Sequence, residues 1–311
     1  MNDLNFINTK DAKLAIEELN EINWKSYNGG NVKTYLQKLD KILFKYFPQI
    51  SLLGKHIDTS MLSDKTFYRV RFTDDIKNLK DESQYGCPDA KYVQYNQRAN
   101  LKGYPVFYVS DEPLVSICET LQIYSKNKSK NGRLSIACWK YVGIEEELVF
   151  PVFSREYAEL NPDTQWSLFS DESFRNIGNA KVNSDQIEAL RHISDWFAES
   201  FVKDDKRSWS SALAHRAMYE NSVKPGIVIY PSIQMGLRGT NYAFHPELAN
   251  HKMKLVRIYH ISLKQIKINP DEGALYNFDH LGCFINNNGK IDFENDIRGT
   301  EIFEKQRKED F

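Results

Sequence analysis

Residues 97–120 read QRANLKGYPVFYVSDEPLVSICET. A polar turn carrying Arg98 leads into a short apolar run, Pro105–Val109, of strand length and character. Ser110 and Asp111 then offer side chains that can cap a helix. Pro113 suits a first helical turn, where N–H groups have no intrahelical partner. The predicted helix runs from Glu112 to about Tyr124, with Leu114, Ile117, Leu121 and Tyr124 on one stripe and Val115 and Ile123 on another side. Glu119 falls one turn from each of Val115 and Ile123. Burying a carboxylate on such a helix is costly unless it is paired or hydrogen-bonded. Glu119 therefore reads either as half of a structural ion pair with an arginine or as a carboxylate at the edge of a pocket.

Outward from this strand and helix, the texture of the chain is mixed. Upstream, FYRVRF alternates and predicts a strand in which Arg69 and Arg71 share one face. Residues 74–102 are polar with few apolar anchors and predict a long loop. Downstream, LSIACWKYV (134–142) predicts a strand, 185–201 an amphipathic helix, 209–219 further helix, GIVIY (226–230) a buried strand and 255–268 more β-structure. Strands and helices intermingle without a regular βαβ rhythm, which predicts an α+β fold. Residues 1–60 predict an N-terminal helical segment. Val32, Leu36, Leu39, Leu43 and Tyr46 form an amphipathic stripe, NEINWKSYNGG (20–30) is a helix break and 54–63 is a linker. Residues 61–311 form the second domain.

Composition narrows the function class. The 311 residues carry 41 Lys plus Arg against 42 Asp plus Glu, a balance unlike the basic excess of a dedicated nucleic-acid binder. The four cysteines, Cys87, Cys118, Cys138 and Cys283, form no CxxC pair and point to a reducing compartment. His245 and His251 fit no common metal-ligand spacing, so no metal is expected. The start, MNDLNFINTKDAK, lacks the pattern of a signal peptide, and the longest apolar runs fall far short of the roughly 20 residues of a membrane span. These features predict a cytoplasmic chain with no membrane partner.

Besides Glu119, two motifs carry candidate chemistry. Arg69 and Arg71 are either exposed strand residues or a pair whose guanidinium forks grip a diphosphate. Ser232 ends a strand and precedes a loop with Gly236 and Gly239 that matches neither a nucleophile elbow nor a GxGxxG phosphate loop. Ser232 is either a turn residue or a hydroxyl that binds a ligand.

Taken in order, FYRVR, QRANLKGYPVFYVSDEPLVSICE and PGIVIYPSIQMGLRGTNYAF resemble the RES family, named for an arginine, a glutamate and a serine. Arg69, Glu119 and Ser232 are the matching positions. Arg98 matches the arginine of the family's turn, Tyr108 the strand tyrosine and Asn241 an asparagine after the serine loop. Gln97 stands where the family has glycine, and Ala99 where it has an aromatic residue. The resemblance covers about residues 66–245. It implies an ADP-ribosyltransferase-like fold, a split mixed or antiparallel sheet with surrounding helices. It also implies an NAD+-consuming toxin of a bacterial toxin–antitoxin pair, with a cognate antitoxin as partner and NAD+ as substrate rather than cofactor. On this resemblance Glu119 stabilises the ribosyl cation and Arg69 and Arg98 clamp the pyrophosphate. Tyr108 packs on nicotinamide or ribose, Ser232 bonds the nicotinamide end and Asn241 completes the binding set. Transfer of ADP-ribose to a macromolecule, or non-catalytic binding of a nucleotide or a partner, are the alternatives.

Overall fold

The computed structural model describes residues 7–46, 54–121, 132–161, 166, 183–220, 226–269, 273–285 and 291–292. The chain divides into two compact units, each assembled from three segments. One comprises Met1–Ile57, Asp89–Val106 and Glu147–Pro231, the other Asp58–Pro88, Phe107–Glu146 and Ser232–Phe311. Residues 1–57 thus belong to the first unit, and the stretch 61–311 is shared between both. The fold is α+β with a mixed sheet.

The first unit is built on helices. Helix α1 (Thr9–Glu21) starts where the Asn8 side chain accepts the Asp11 N–H, and it buries Ala12, Ala15 and Leu19 at helical spacing. Helix α2 (Val32–Tyr46) buries Leu36, Leu39 and Leu43, the centre of the predicted stripe. Gly29 and Gly30, both at strongly positive φ, sit between the two helices as the sequence predicts. The buried residues of α1 and α2 pack with Leu190, Ile193 and Phe197, which lie on a long helix within 184–203 that opens with a capping box of Asn183 and Gln186. Three strands complete the unit. Strand β1 (Lys55–Ile57) pairs antiparallel with β5 (Glu147–Pro151), which pairs parallel with β6 (Ile227–Pro231). The stretch read as a linker over 54–63 therefore contains β1 and, in the second unit, the short helix α3 (Ser60–Ser63). Three residues are too few for alternation to register.

The second unit is organised by an antiparallel sheet. Its strands are β2 (Thr66–Phe72), β3 (Phe107–Ser110), β4 (Gly132–Tyr141), β7 (Thr240–Phe244), β8 (Met253–Asn269), β9 (Gly273–Ile285) and β10 (Ile291–Asp292). They run in the order β7-β3-β2-β4-β8-β9-β10. Helix α4 (Pro113–Leu121) follows β3. The predicted strand at 105–109 is displaced to Phe107–Ser110. Ile123 and Tyr124, expected at the end of the helix, lie outside the described residues.

Register assigns the faces of this sheet. Tyr68 and Val70 share a buried cluster with Ile117, Cys118 and Leu121 of α4, and with Leu134, Ile136 and Tyr259. Arg69 and Arg71 therefore stand on the opposite face of β2. There Phe67, Phe107, Trp139, Tyr242 and Phe244 form a chain of aromatic contacts with ring centroids 5.0–6.4 Å apart. Across the described residues no helix is long and apolar enough to cross a membrane.

Candidate functional site

Helix α4 is fixed to the sheet by its own small polar residues. Ser116 Oγ donates to the carbonyl of Tyr68, and Thr120 Oγ1 donates to the carbonyl of Val70 at 3.1 Å. These bonds set the rotation of the helix, which packs against the 3₁₀ turn after Ser232 and against β7. Glu119 is partly exposed, although most of the helix around it is buried.

The arrangement around its carboxylate is specific. Oε1 accepts the hydroxyl of Ser232 at 2.8 Å and the amide Nδ2 of Asn241 at 2.8 Å. Asn241 Oδ1 in turn accepts the hydroxyl of Ser110 at 2.6 Å. The three donor residues are almost wholly shielded, with Ser232 at 0%, Ser110 at 2% and Asn241 at 4% exposure, while Glu119 as a residue is partly exposed. Among the described residues Oε2 accepts no hydrogen bond, and no cation lies within ion-pair distance of Glu119. The reading of Glu119 as half of an ion pair with an arginine therefore finds no partner among these residues. Among the described residues, one oxygen is held by two neutral donors and the other by none.

The loop between Ser232 and Asn241 explains how two distant segments meet at one oxygen. It closes on itself, with the Ser232 N–H donating to the Gly239 carbonyl at 3.0 Å and the Leu237 N–H to the Ser232 carbonyl at 2.8 Å. Gly239 has φ +76°, and a Cβ there would come within 2.3 Å of Val115 Cγ2. Only glycine lets the loop lie this close to α4. Leu237, at φ 69°, adopts a conformation that costs a non-glycine residue roughly 1–2 kcal/mol.

The other residues singled out in the sequence have different surroundings. Arg69 donates from Nη1 to the carbonyl of Gly86, and its guanidinium lies 5.4 Å from the Phe107 ring centroid. Burial pushes its pKa down to about 10, so the group stays cationic at neutral pH. Arg71 donates to the carbonyls of Gln84 and, at 3.4 Å, Asp75. The two strand arginines thus share a face as predicted, but what they hold is backbone. The polar segment after β2, with 3₁₀ turns at 73–75 and 82–84, is tied to the sheet by their guanidiniums. Arg98, in the first unit, donates to the carbonyls of Phe201 and, at 3.1 Å, Val202, capping the end of the 184–203 helix, where a cation also complements the helix dipole. Arg69 makes no hydrogen bond or ion pair with the carboxylate, and Arg98 belongs to the other unit. Tyr108 lies on the same face of β3 as Ser110, two residues away, and is partly exposed.

Ser110 and Asp111 have roles that the sequence does not show. Ser110 reads as a helix cap, but it ends β3 and serves Asn241, its cross-strand neighbour in register. Asp111, the other capping candidate, accepts the Tyr242 hydroxyl at 2.8 Å and pairs with Lys65 at 3.3 Å. Both assignments depend on β7, whose five residues TNYAF follow a glycine loop and show no alternation long enough to read. No family model matches the chain, and no curated protein matches it in sequence.

Proposed function

We propose that the protein cleaves the nicotinamide–ribose bond of NAD+, with Glu119 as the group that stabilises the transition state. The observation that carries this reading is the asymmetric carboxylate, with Oε1 fixed by Ser232 and Asn241 and Oε2 without a described partner. As the bond breaks, nicotinamide leaves with the bonding electron pair and C1′ of the ribose acquires oxocarbenium character. A carboxylate held in place beforehand stabilises that charge without reorganising, which is where such groups contribute most. Water captures the cation to give ADP-ribose and a proton, and phosphate captures it to give the corresponding ribosyl phosphate.

Ser232 acts in this scheme as an orienting donor with lone pairs left for the nicotinamide amide, and Asn241 as a second donor locked by Ser110. Tyr108 supplies an aromatic surface on the same face. Arg69 and Arg98 are engaged with backbone carbonyls, so the reading does not rest on them as a pyrophosphate clamp. The resemblance to RES proteins, and with it an ADP-ribosyltransferase-like core, supports the same reaction. It also supports a cytoplasmic toxin, since NAD+ depletion harms the host, and an antitoxin protein as partner.

The test is direct. Purified protein incubated with NAD+ is expected to release nicotinamide, with ADP-ribose or its phosphate ester as co-product. Nicotinamide release accompanied by covalent ADP-ribose on an added macromolecule would assign a transferase instead. Absence of release over a long incubation, with and without phosphate, would overturn the reading.

A further inference from the structure

The loop that joins the two donors of Glu119 carries one arginine. Arg238 sits between Leu237 and Gly239, both of which are hydrogen-bonded to the backbone of Ser232, and its own N–H donates to the Met235 carbonyl at 3.2 Å. The backbone position of Arg238 is thereby fixed relative to the two side chains that hold the carboxylate. Its side chain is exposed and engages no described residue through a hydrogen bond or an ion pair.

This separates it from other cations of the same unit. Arg69 and Arg71 hold backbone carbonyls. Arg133 pairs with Asp74, Lys65 with Asp111 and Lys252 with Glu145. An isolated exposed arginine ordinarily calls for no explanation. Arg238 differs in being anchored in a tight, positive-φ loop whose two ends meet at Glu119 Oε1, with its fork uncommitted among the described residues.

We propose that Arg238 binds the diphosphate of a dinucleotide whose ribose lies at Glu119. This inference rests on the reading of Glu119 as the ribose-facing carboxylate. The guanidinium fork matches phosphate oxygens two at a time, and it supplies the positive charge that Glu119, Ser232, Asn241 and Ser110 lack. Arg238 is in this sense a specificity determinant. It favours a phosphorylated nicotinamide riboside over the bare nucleoside.

Two measurements on the full chain test it. The first is calorimetric binding of ADP-ribose, which needs no turnover. Arg238→Gln is expected to weaken binding about 10- to 100-fold, as for loss of charge-assisted hydrogen bonds, with partial recovery in Arg238→Lys. The second compares NAD+ with nicotinamide riboside as substrates. The Gln variant should lose kcat/KM by a similar factor for NAD+ and keep the parental value for the nucleoside, a selectivity that a merely structural role would not produce. Equal ADP-ribose binding in wild type and Arg238→Gln, equal losses for both substrates, or a wild type that binds no ADP-ribose would overturn the proposal. A wild type that binds ADP-ribose through Arg238 but releases no nicotinamide would uphold the phosphate contact and remove the proposed reaction.

Discussion

The two faces of strand β2 treat their polar groups differently. On one, Arg69 and Arg71 direct their guanidiniums at the carbonyls of Gly86 and Gln84, and a polar segment is thereby laid along an aromatic surface. On the other, Ser116 and Thr120 seat helix α4 on the carbonyls of Tyr68 and Val70, and the carboxylate this helix carries is left half satisfied. Both faces contain charged groups in partly buried surroundings. What differs is where the bonding capacity ends. The arginines reach groups that the chain itself must satisfy, because a buried carbonyl without a partner is costly. Glu119 has one oxygen held by two donors and another with no partner among the described residues.

The largest effect is expected at Glu119. Glu119→Gln keeps the volume and can still accept from Ser232 and Asn241, but it removes the negative charge. Nicotinamide release is expected to fall about 10²- to 10³-fold, the range for loss of one preorganised electrostatic stabiliser, with little change in melting temperature. A parental rate in the folded variant would sink the assignment. A variant that fails to fold would return the carboxylate to a structural role, and Glu119→Asp, which keeps the charge and shortens the reach, would then decide between charge and packing.

On the opposite face the expected change is in stability. Arg69→Met retains much of the aliphatic stem and leaves the Gly86 carbonyl without its cationic donor. The loss is expected at about 1.5–3 kcal/mol, as for a hydrogen bond to a charged group. Denaturant unfolding reads it, and the KM for NAD+ should stay at the parental value. A stable Arg69→Met with a strongly raised KM would restore the phosphate role implied by the RES resemblance and erase the contrast between the faces.

The parts of this contrast that could be read in the sequence are those set by local periodicity. The stripe through Leu36, Leu39 and Leu43, the alternation of FYRVRF and the helix after Pro113 all follow from spacings within a single element, and each is found close to where the spacing puts it. The shared face of Arg69 and Arg71 follows in the same way. Which face it is does not, because that depends on what packs against Tyr68 and Val70, and the partner lies about fifty residues downstream. Strands β1 and β7 leave no such pattern in the sequence for a related reason. They are three and five residues long, and pairing with β5 and β3 rather than internal pattern defines them. The placement of Ser110 was lost with β7, since its role exists only once Asn241 is beside it.

The smallest expected effect lies in that pair. Ser110→Ala removes one buried, neutral hydrogen bond and touches neither Glu119 nor the charge balance. Asn241 Oδ1 then loses its described donor, and the amide is less strongly held with Nδ2 toward Glu119. A single bond of this kind contributes about 0.5–1.5 kcal/mol, so both stability and rate should decline modestly. If the Ser110–Asn241 bond serves the carboxylate, Asn241→Ala should lower the rate further. Ser110→Ala in the Asn241→Ala background should then have little additional effect on rate, because residues acting through one another are not additive. The double-mutant cycle measures this as a coupling energy. Full additivity of the rate losses would mean that Ser110 merely fills the end of β3, and the oriented oxygen of Glu119 would rest on Ser232 and Asn241 alone.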